Sequence, residues 1–307
     1  MRRNRLLDYS VYVAVRVLIC VIQSLPIEWC EAAARGLATL CCNVLKIRRS
    51  VVDENLRFAY PKMSAAARQR LAWRMWEHLF LLITEVAHAP RKIHETNWRD
   101  YITLIEQDRI VGSIFEDRPT VIVCGHYGNF ELSGFLMGMF GFPSYTIARP
   151  LDNPYLNRFI NQFRGARGQR ILPKNGSAQQ INAVLEEGAT LVLLGDQHAG
   201  PKGCWVQFFG RPASTHKAIA LFALGGDAPL VLCYCRRNGR ALYHRLGAQA
   251  IADPRELPVE RLNVRALTQW YTDQLEQVIR QAPEQYWWIH RRWKDTRPKS
   301  SSHSKAA

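Results

Sequence analysis

A chain of 307 residues with 48% hydrophobic and 22% charged residues is long enough to bury a sizeable core and too apolar to stay disordered. Its net charge of +15 is concentrated at the two ends: residues 1–50 carry eight Arg or Lys against three acids, and residues 290–307 carry six against one. That excludes an acidic, solvating chain and suits an anionic partner, whether lipid headgroups, nucleic acid or an acidic substrate.

The first element follows Arg2, Arg3 and Arg5. Residues 6–25 are rich in Val, Ile and Leu, and twenty residues just reach across a bilayer. The stretch also holds Asp8, Ser10, Arg16, Gln23 and Ser24. A central Arg costs roughly 2.5–3.5 kcal/mol on insertion scales. With no small-residue cleavage site after it, the segment reads as a retained anchor helix that spans marginally or lies in the interface, its basic end on the cytoplasmic side. The alternative is a buried N-terminal helix of a soluble protein. Residues 1–26 are thus expected to form the anchor and 27–295 the main domain, divided into a helical part at 27–95 and an α/β core at 96–295. Residues 296–307 are expected to be a disordered basic tail.

A second helix is expected near 27–46, with Trp29, Ala33, Leu37, Leu40 and Val44 on one face. A third follows Pro61 near 64–88, capped by Ser64, with the stripe Leu71, Met75, Trp76, Leu79, Leu82 and Ile83. From about residue 98 helices alternate with apolar strands near 119–124, 143–148, 190–195 and 229–235. That alternation predicts an α/β fold: a mixed, partly parallel sheet flanked by helices, behind an N-terminal hydrophobic helix or helical bundle. A last helix near 262–281 leads to an aromatic, basic segment. The eight cysteines (20, 30, 41, 42, 124, 204, 233 and 235) show neither a metal nor a disulfide framework, and Cys233-x-Cys235 is too short for a CxxC site. Reduced, mostly buried thiols fit a cytosol-facing protein.

The chemistry is concentrated in residues 124–132, Cys124-Gly125-His126-Tyr127-Gly128-Asn129-Phe130-Glu131-Leu132. An apolar strand leads in and an apolar helix leads out, and such strand–helix junctions are where α/β proteins place their sites. Imidazole is the usual base near neutral pH, and it works best when a carboxylate holds its other ring nitrogen. On one continuous helix His126 and Glu131 would point about 140° apart. They meet only if His126 sits on the turn, which Gly125 and Gly128 permit, and Glu131 on the first helical turn, for which Asn129 is a plausible N-cap. No serine or cysteine stands in a nucleophile elbow, so a base that activates a substrate hydroxyl is favoured over a covalent enzyme. The bland alternative is a core histidine and a capping glutamate.

The chain resembles the lipid A late acyltransferases, the lauroyl and myristoyl transferases of lipopolysaccharide assembly, within the glycerophosphate and lysophospholipid acyltransferase superfamily. Five blocks carry the likeness in order: Val52 to Leu56 with Tyr60-Pro61; Gly125 to Glu131; Arg149 to Pro154 with Arg164 and Arg167-Gly168; Asp196-Gln197 with Val206 to Thr215; and Pro283 to Lys294. One departure is His216-Lys217, where the family usually has a small residue. The resemblance implies O-acyl transfer from an acyl thioester, acyl carrier protein or acyl-CoA, to a glycolipid hydroxyl at the cytoplasmic face of the inner membrane, with no cofactor and no metal. It implies His126 as general base oriented by Glu131. Arg149, Arg164 and Arg167 become candidates for the oxyanion or a substrate phosphate. Asn153 and Thr215 belong to the same blocks as substrate-binding candidates, Asp196 as a residue that orients an arginine or starts a turn, and Phe208 and Phe209 as lining of an acyl groove. Other acceptors in this chemistry are a phosphatidylinositol mannoside or a lysophospholipid. A different class, a non-catalytic basic protein binding membranes or nucleic acid, fits the aromatic basic tail, although no nucleic-acid motif accompanies it.

Overall fold

The computed structural model describes residues 4–173, 176 and 178–294. Arg2, Arg3 and the expected tail at 296–307 lie outside the described residues. Four helices come first: α1 (Arg5–Ser24), α2 (Ile27–Thr39), α3 (Arg49–Ala59) and α4 (Ala65–Lys92). Ser64 caps α4 as its chemistry suggests, accepting from the Ala67 amide. The helix expected at 27–46 is α2 plus a wider turn over Leu40–Val44, closed by a bond from the Leu45 amide to the Leu40 carbonyl. Lys46 and Arg48 then take positive φ, which ends the run and lets α3 start in a new direction.

A seven-stranded sheet follows. Its strands are β1 (Ile102–Ile105), β2 (Thr120–Cys124), β3 (Ser144–Ala148), β4 (Gln169–Pro173), β5 (Thr190–Leu194), β8 (Leu230–Arg237) and β9 (His244–Ala252), in the order β1-β9-β8-β2-β5-β3-β4. Neighbours are parallel except β8 and β9, so the sheet is mixed and mostly parallel. The strands β6 (Cys204–Phe208) and β7 (Arg211–Thr215) form a separate antiparallel hairpin. The connecting helices are α5 (Gln107–Phe115), α6 (Phe130–Met139), α7 (Pro154–Gly165), α8 (Ala178–Glu186), α9 (Ala218–Gly225) and α10 (Val264–Gln281). The four strands expected from apolar runs are β2, β3, β5 and β8. The strands that periodicity missed are short or polar: β4 reads Gln-Arg-Ile-Leu-Pro at the sheet edge, and β9 is broken by Arg245 and Gln249.

The main core joins α3 and α4 (Leu56, Met75) to the sheet (Val123, Leu191, Leu232), the hairpin (Phe208) and α10 (Tyr271, Leu275). The helical part and the sheet therefore share one interior. A second core under α6 packs Phe135 and Leu136 against Ile102, Leu242 and Leu246. By contrast α1 has no buried residue. It lies lengthwise on its neighbours: Gln23 donates to the Ala87 carbonyl on α4 (2.7 Å), Asn153 donates to the Asp8 carbonyl (2.7 Å), Tyr9 meets Tyr155 edge-on and the Arg16 guanidinium sits 4.7 Å over Phe159 on α7.

Candidate active site

Strand register builds the site. β2 and β5 are adjacent and parallel, with Cys124 opposite Leu194. Each strand then continues through a glycine, and the Gly195 amide donates to the Cys124 carbonyl (2.9 Å). Two residues past each strand end, His126 therefore stands beside Asp196. The contact is double: the His126 backbone amide donates to one Asp196 oxygen (3.0 Å), and its Nδ1 lies 2.8 Å from the other. Both residues are buried, Asp196 almost completely.

The carboxylate on Nδ1 is thus that of Asp196, where the His-x4-Glu spacing suggests Glu131. Asn129 caps α6 as expected, accepting from the Leu132 amide (3.0 Å), and this puts Glu131 in the first turn. From there Glu131 points toward α7 and takes both an Nε–H bond (3.1 Å) and a shorter terminal N–H bond from Arg164. The reason is topological. A residue on the turn is closest to the neighbouring strand end, whereas a residue inside the helix faces the next helix.

Burial by itself lowers the His126 pKa, but the Asp196 charge and hydrogen bond, helped by Glu131, more than offset it, so it stands above 6.5. Asp196 is held down to about 2: burial opposes its ionisation, and His126 overrides that by charge and by two hydrogen bonds. A proton on Nδ1 facing this carboxylate leaves Nε2 as the acceptor. Around Nε2 lie Gln197, whose amide nitrogen is 3.4 Å away and also 3.3 Å from His290 Nε2, and the rings of Phe130, Trp287 and His290, with centroids 5.0–5.1 Å from the imidazole.

The turn carrying His126 is pinned from three sides. The Gly128 amide donates to the Gln285 carbonyl (2.9 Å), the Asn129 amide to the Cys235 carbonyl on β8 (2.7 Å), and the Trp287 amide to the His126 carbonyl (3.0 Å). Gly128 has φ +60°, and a Cβ there would sit 2.1 Å from the Cys235 carbonyl oxygen, so glycine is required both by conformation and by space. Behind the turn lies a buried polar cluster that sequence reading missed. Glu85 takes hydrogen bonds from Arg237 and from the Asn129 side chain (each 2.9 Å), His244 stands 3.3 Å away, and His78 lies between Arg237 and the Gly128 carbonyl. The closing block is tied down as well. Asn55 donates to the carbonyls of Trp288 (2.7 Å) and His290 (2.6 Å), and buried Arg292 donates to the Ser214 carbonyl (2.7 Å) and the Thr215 hydroxyl (2.5 Å).

The remaining candidates separate. Arg149 is exposed near Asp152 and lines, with Arg164, a cavity of about 290 Å³. A smaller one of about 90 Å³ runs from Arg164 past Glu131, Ser133 and Phe130 to Leu193. Arg167 faces Glu95 and the Phe135 ring. Asn153 is the N-cap of α7 and ties down α1, and Thr215 is buried under Arg292. Phe208 and Phe209 are buried in an aromatic cluster with Tyr60, Tyr286, Trp288 and Trp293, so they belong to the core where an open groove was expected.

The chain is similar to known proteins over most of its length. The family model described as bacterial lipid A biosynthesis acyltransferase matches residues 1–295. The lipid A biosynthesis lauroyltransferase of Escherichia coli K12 is 28% identical over 293 residues, 94% of this chain and 92% of that protein. The palmitoleoyltransferase of the same strain is 26% identical over 264 residues, 84% of this chain and 82% of its own length. A solved 1-acyl-sn-glycerophosphate acyltransferase from Thermotoga maritima aligns with 13% identity and a TM-score of 0.38 over 87% of this chain and 98% of that one, a distant likeness.

Proposed function

The chain belongs to the bacterial lipid A biosynthesis acyltransferase family and is an acyltransferase, and from that premise we propose that it moves a fatty acyl chain from acyl carrier protein to a hydroxyl of a lipid A precursor, with His126 as the base. The observation that carries this reading is His126 Nδ1 held by Asp196 with Nε2 turned toward Gln197 and His290. Nε2 takes the proton of the acceptor hydroxyl as its oxygen attacks the thioester carbonyl. The tetrahedral intermediate then expels the thiolate, which takes the proton back from His126. The products are an ester and a free thiol, and the thioester itself supplies the driving force. Asp196 is a positioning residue that holds the tautomer and steadies the imidazolium. Glu131 acts through Arg164, presenting the guanidinium beside the cavity that reaches Phe130. The Gln197 amide, beside Nε2, is a donor for the oxyanion.

The protein works at a membrane surface in this reading. α1, α2 and the wider turn that follows α2 expose Leu6, Leu7, Val17, Leu18, Trp29 and Val44. Because α1 is docked on α7 over Asp8 to Arg16, and α7 carries Arg158, Asn161 and Gln162, crossing the bilayer would carry those polar groups with it. A helix lying in the cytoplasmic interface avoids that cost. In right-side-out spheroplasts, cysteines placed at Asn4 and Ser24 should both resist a membrane-impermeant maleimide. Labelling at one end only would show a span.

The reaction is tested with purified, detergent-solubilised protein, lauroyl and myristoyl acyl carrier protein, and a tetra-acylated lipid A precursor, read by mass spectrometry. Wild type should add one acyl chain, and His126→Ala should lose about 10²–10⁴-fold. An active His126→Ala protein removes the base. Product only with acyl-CoA, or only on a phosphatidylinositol mannoside or lysophospholipid, moves the donor or acceptor and leaves the chemistry.

A further inference from the structure

Bordered by Gln197 and His290, the neighbours of His126 Nε2, lies a cavity of about 530 Å³ whose wall also includes Arg48, Arg291, Lys294 and His198. Among the described residues no carboxylate lines it. A cavity of about 510 Å³ between α2, α4 and the turn after β8 differs in mixing its charges: there Glu31, Glu77 and Glu284 stand among Arg35, Arg74, Arg236, Arg237 and Arg240. The wall comes from three separate parts of the chain, the start of α3, the segment after β5 and the closing block, and its Arg and Lys side chains come from the first and the last. These two are tied together. Arg48 holds φ +52° and donates to the Ile289 carbonyl (3.0 Å), and Asn55 fastens the carbonyls of Trp288 and His290. α3 begins at this wall without a side-chain cap, so the positive end of its dipole adds to the field.

The cavity adjoins the base. Gln197 and His290 line it, and the Gln197 amide nitrogen lies between His290 Nε2 (3.3 Å) and His126 Nε2 (3.4 Å). An anion seated among Arg48, Arg291 and Lys294 would lie beyond this pair, with the rest of its molecule passing over His126 toward the Phe130–Arg164 side. We infer that this cavity is a phosphate-ester site that anchors one of the two substrates for transfer at His126, by its headgroup phosphate if the acceptor or by the phosphate of its pantetheine arm if the donor. The inference rests on the acyltransferase reading and adds to it where the substrate's charge is held. Guanidinium and ammonium groups without a carboxylate among the described lining residues suit a doubly charged oxyanion, and Arg forks can engage it bidentately.

The test measures binding directly, so it needs no turnover. Full-length protein in neutral detergent is titrated by calorimetry with two soluble probes, a hexosamine 1-phosphate and 4′-phosphopantetheine. The proteins are wild type, Arg291→Ala, Arg291→Lys, Arg48→Ala/Arg291→Ala and, as a control of equal charge loss elsewhere, Arg99→Ala. Arg291 is exposed, so its replacement should leave folding intact, which a thermal melt checks. We expect at least one probe to bind wild type with an affinity that falls as salt rises, to weaken roughly tenfold in Arg291→Ala and further in the double variant, and to recover in Arg291→Lys. Arg99→Ala should match wild type. The probe that binds names the source, and in the transfer assay the KM of that substrate should rise more than kcat falls. Neither probe binding wild type below about 10 mM, or binding that survives the double variant, overturns the site. Absence of acyl transfer by wild type would instead strike the underlying reading, so the two failures are told apart.

Discussion

Two glutamate–arginine pairs flank the turn that carries His126, and they differ in almost everything but chemistry. Glu85 and Arg237 lie behind the turn with side chains 0% and 6% exposed, while Glu131 and Arg164 lie in front of it at 24% and 21%. The rear pair is locked into a cluster with His78, His244 and Asn129, and through Asn129 and Gly128 it sets where the turn runs. Ion pairs so deep gain little over apolar packing but are costly to break singly. The front pair borders open cavities, and water screens it. A buried pair of this kind fixes geometry, whereas a partly open pair can exchange partners with a substrate.

The largest effects should come from the rear. Arg237→Leu alone leaves Glu85 charged in the core and should cost about 3–5 kcal/mol in denaturant unfolding. The double replacement Glu85→Leu/Arg237→Leu should recover much of that loss. A double variant no better than the single one would mean that the cluster's hydrogen bonds to the turn outweigh its charges. Gly128→Ala comes next. It forces a left-handed alanine against the Cys235 carbonyl and should cost about 2–5 kcal/mol, with transfer lost as His126 moves. The smallest effect on stability belongs to the front: Glu131→Gln should change unfolding by less than about 1 kcal/mol. Its transfer rate should nevertheless fall at least roughly tenfold because Arg164 loses its support. A Glu131→Gln protein that unfolds as readily as Arg237→Leu would erase the distinction between the two pairs.

The same contrast explains what the chain disclosed in one dimension. His126, its glycines and the Asn129 cap are local, and local chemistry is legible: a strand, a turn and a helix start within nine residues. The four strands with apolar runs were legible for the same reason. The partner of His126 was not, because Asp196 is seventy residues away and reaches it only through the pairing of Cys124 with Leu194. Spacing drew attention to Glu131, which is near in sequence but faces α7. Glu85 sits in a long helix among apolar neighbours and reads as an ordinary polar position until β8 brings Arg237 to it. Phe208-Phe209 reads as groove lining in the linear sequence, and only the arrival of Trp288 and Trp293 from the closing block puts it in the core.

The central claim is that Asp196 holds the base and Glu131 does not. His126 must be neutral to accept a proton, so activity should rise as pH rises through its folded pKa. The Asp196 carboxylate places that value above 6.5 against the opposing effect of burial. The direct measurement is the pH dependence of kcat/KM for wild type, Asp196→Asn and Glu131→Gln. The account predicts an acidic limb above pH 6.5 in wild type, a large shift to lower pH with a reduced plateau in Asp196→Asn, and only a small shift in Glu131→Gln. A limb that moves with Glu131→Gln and stays in place with Asp196→Asn would contradict it.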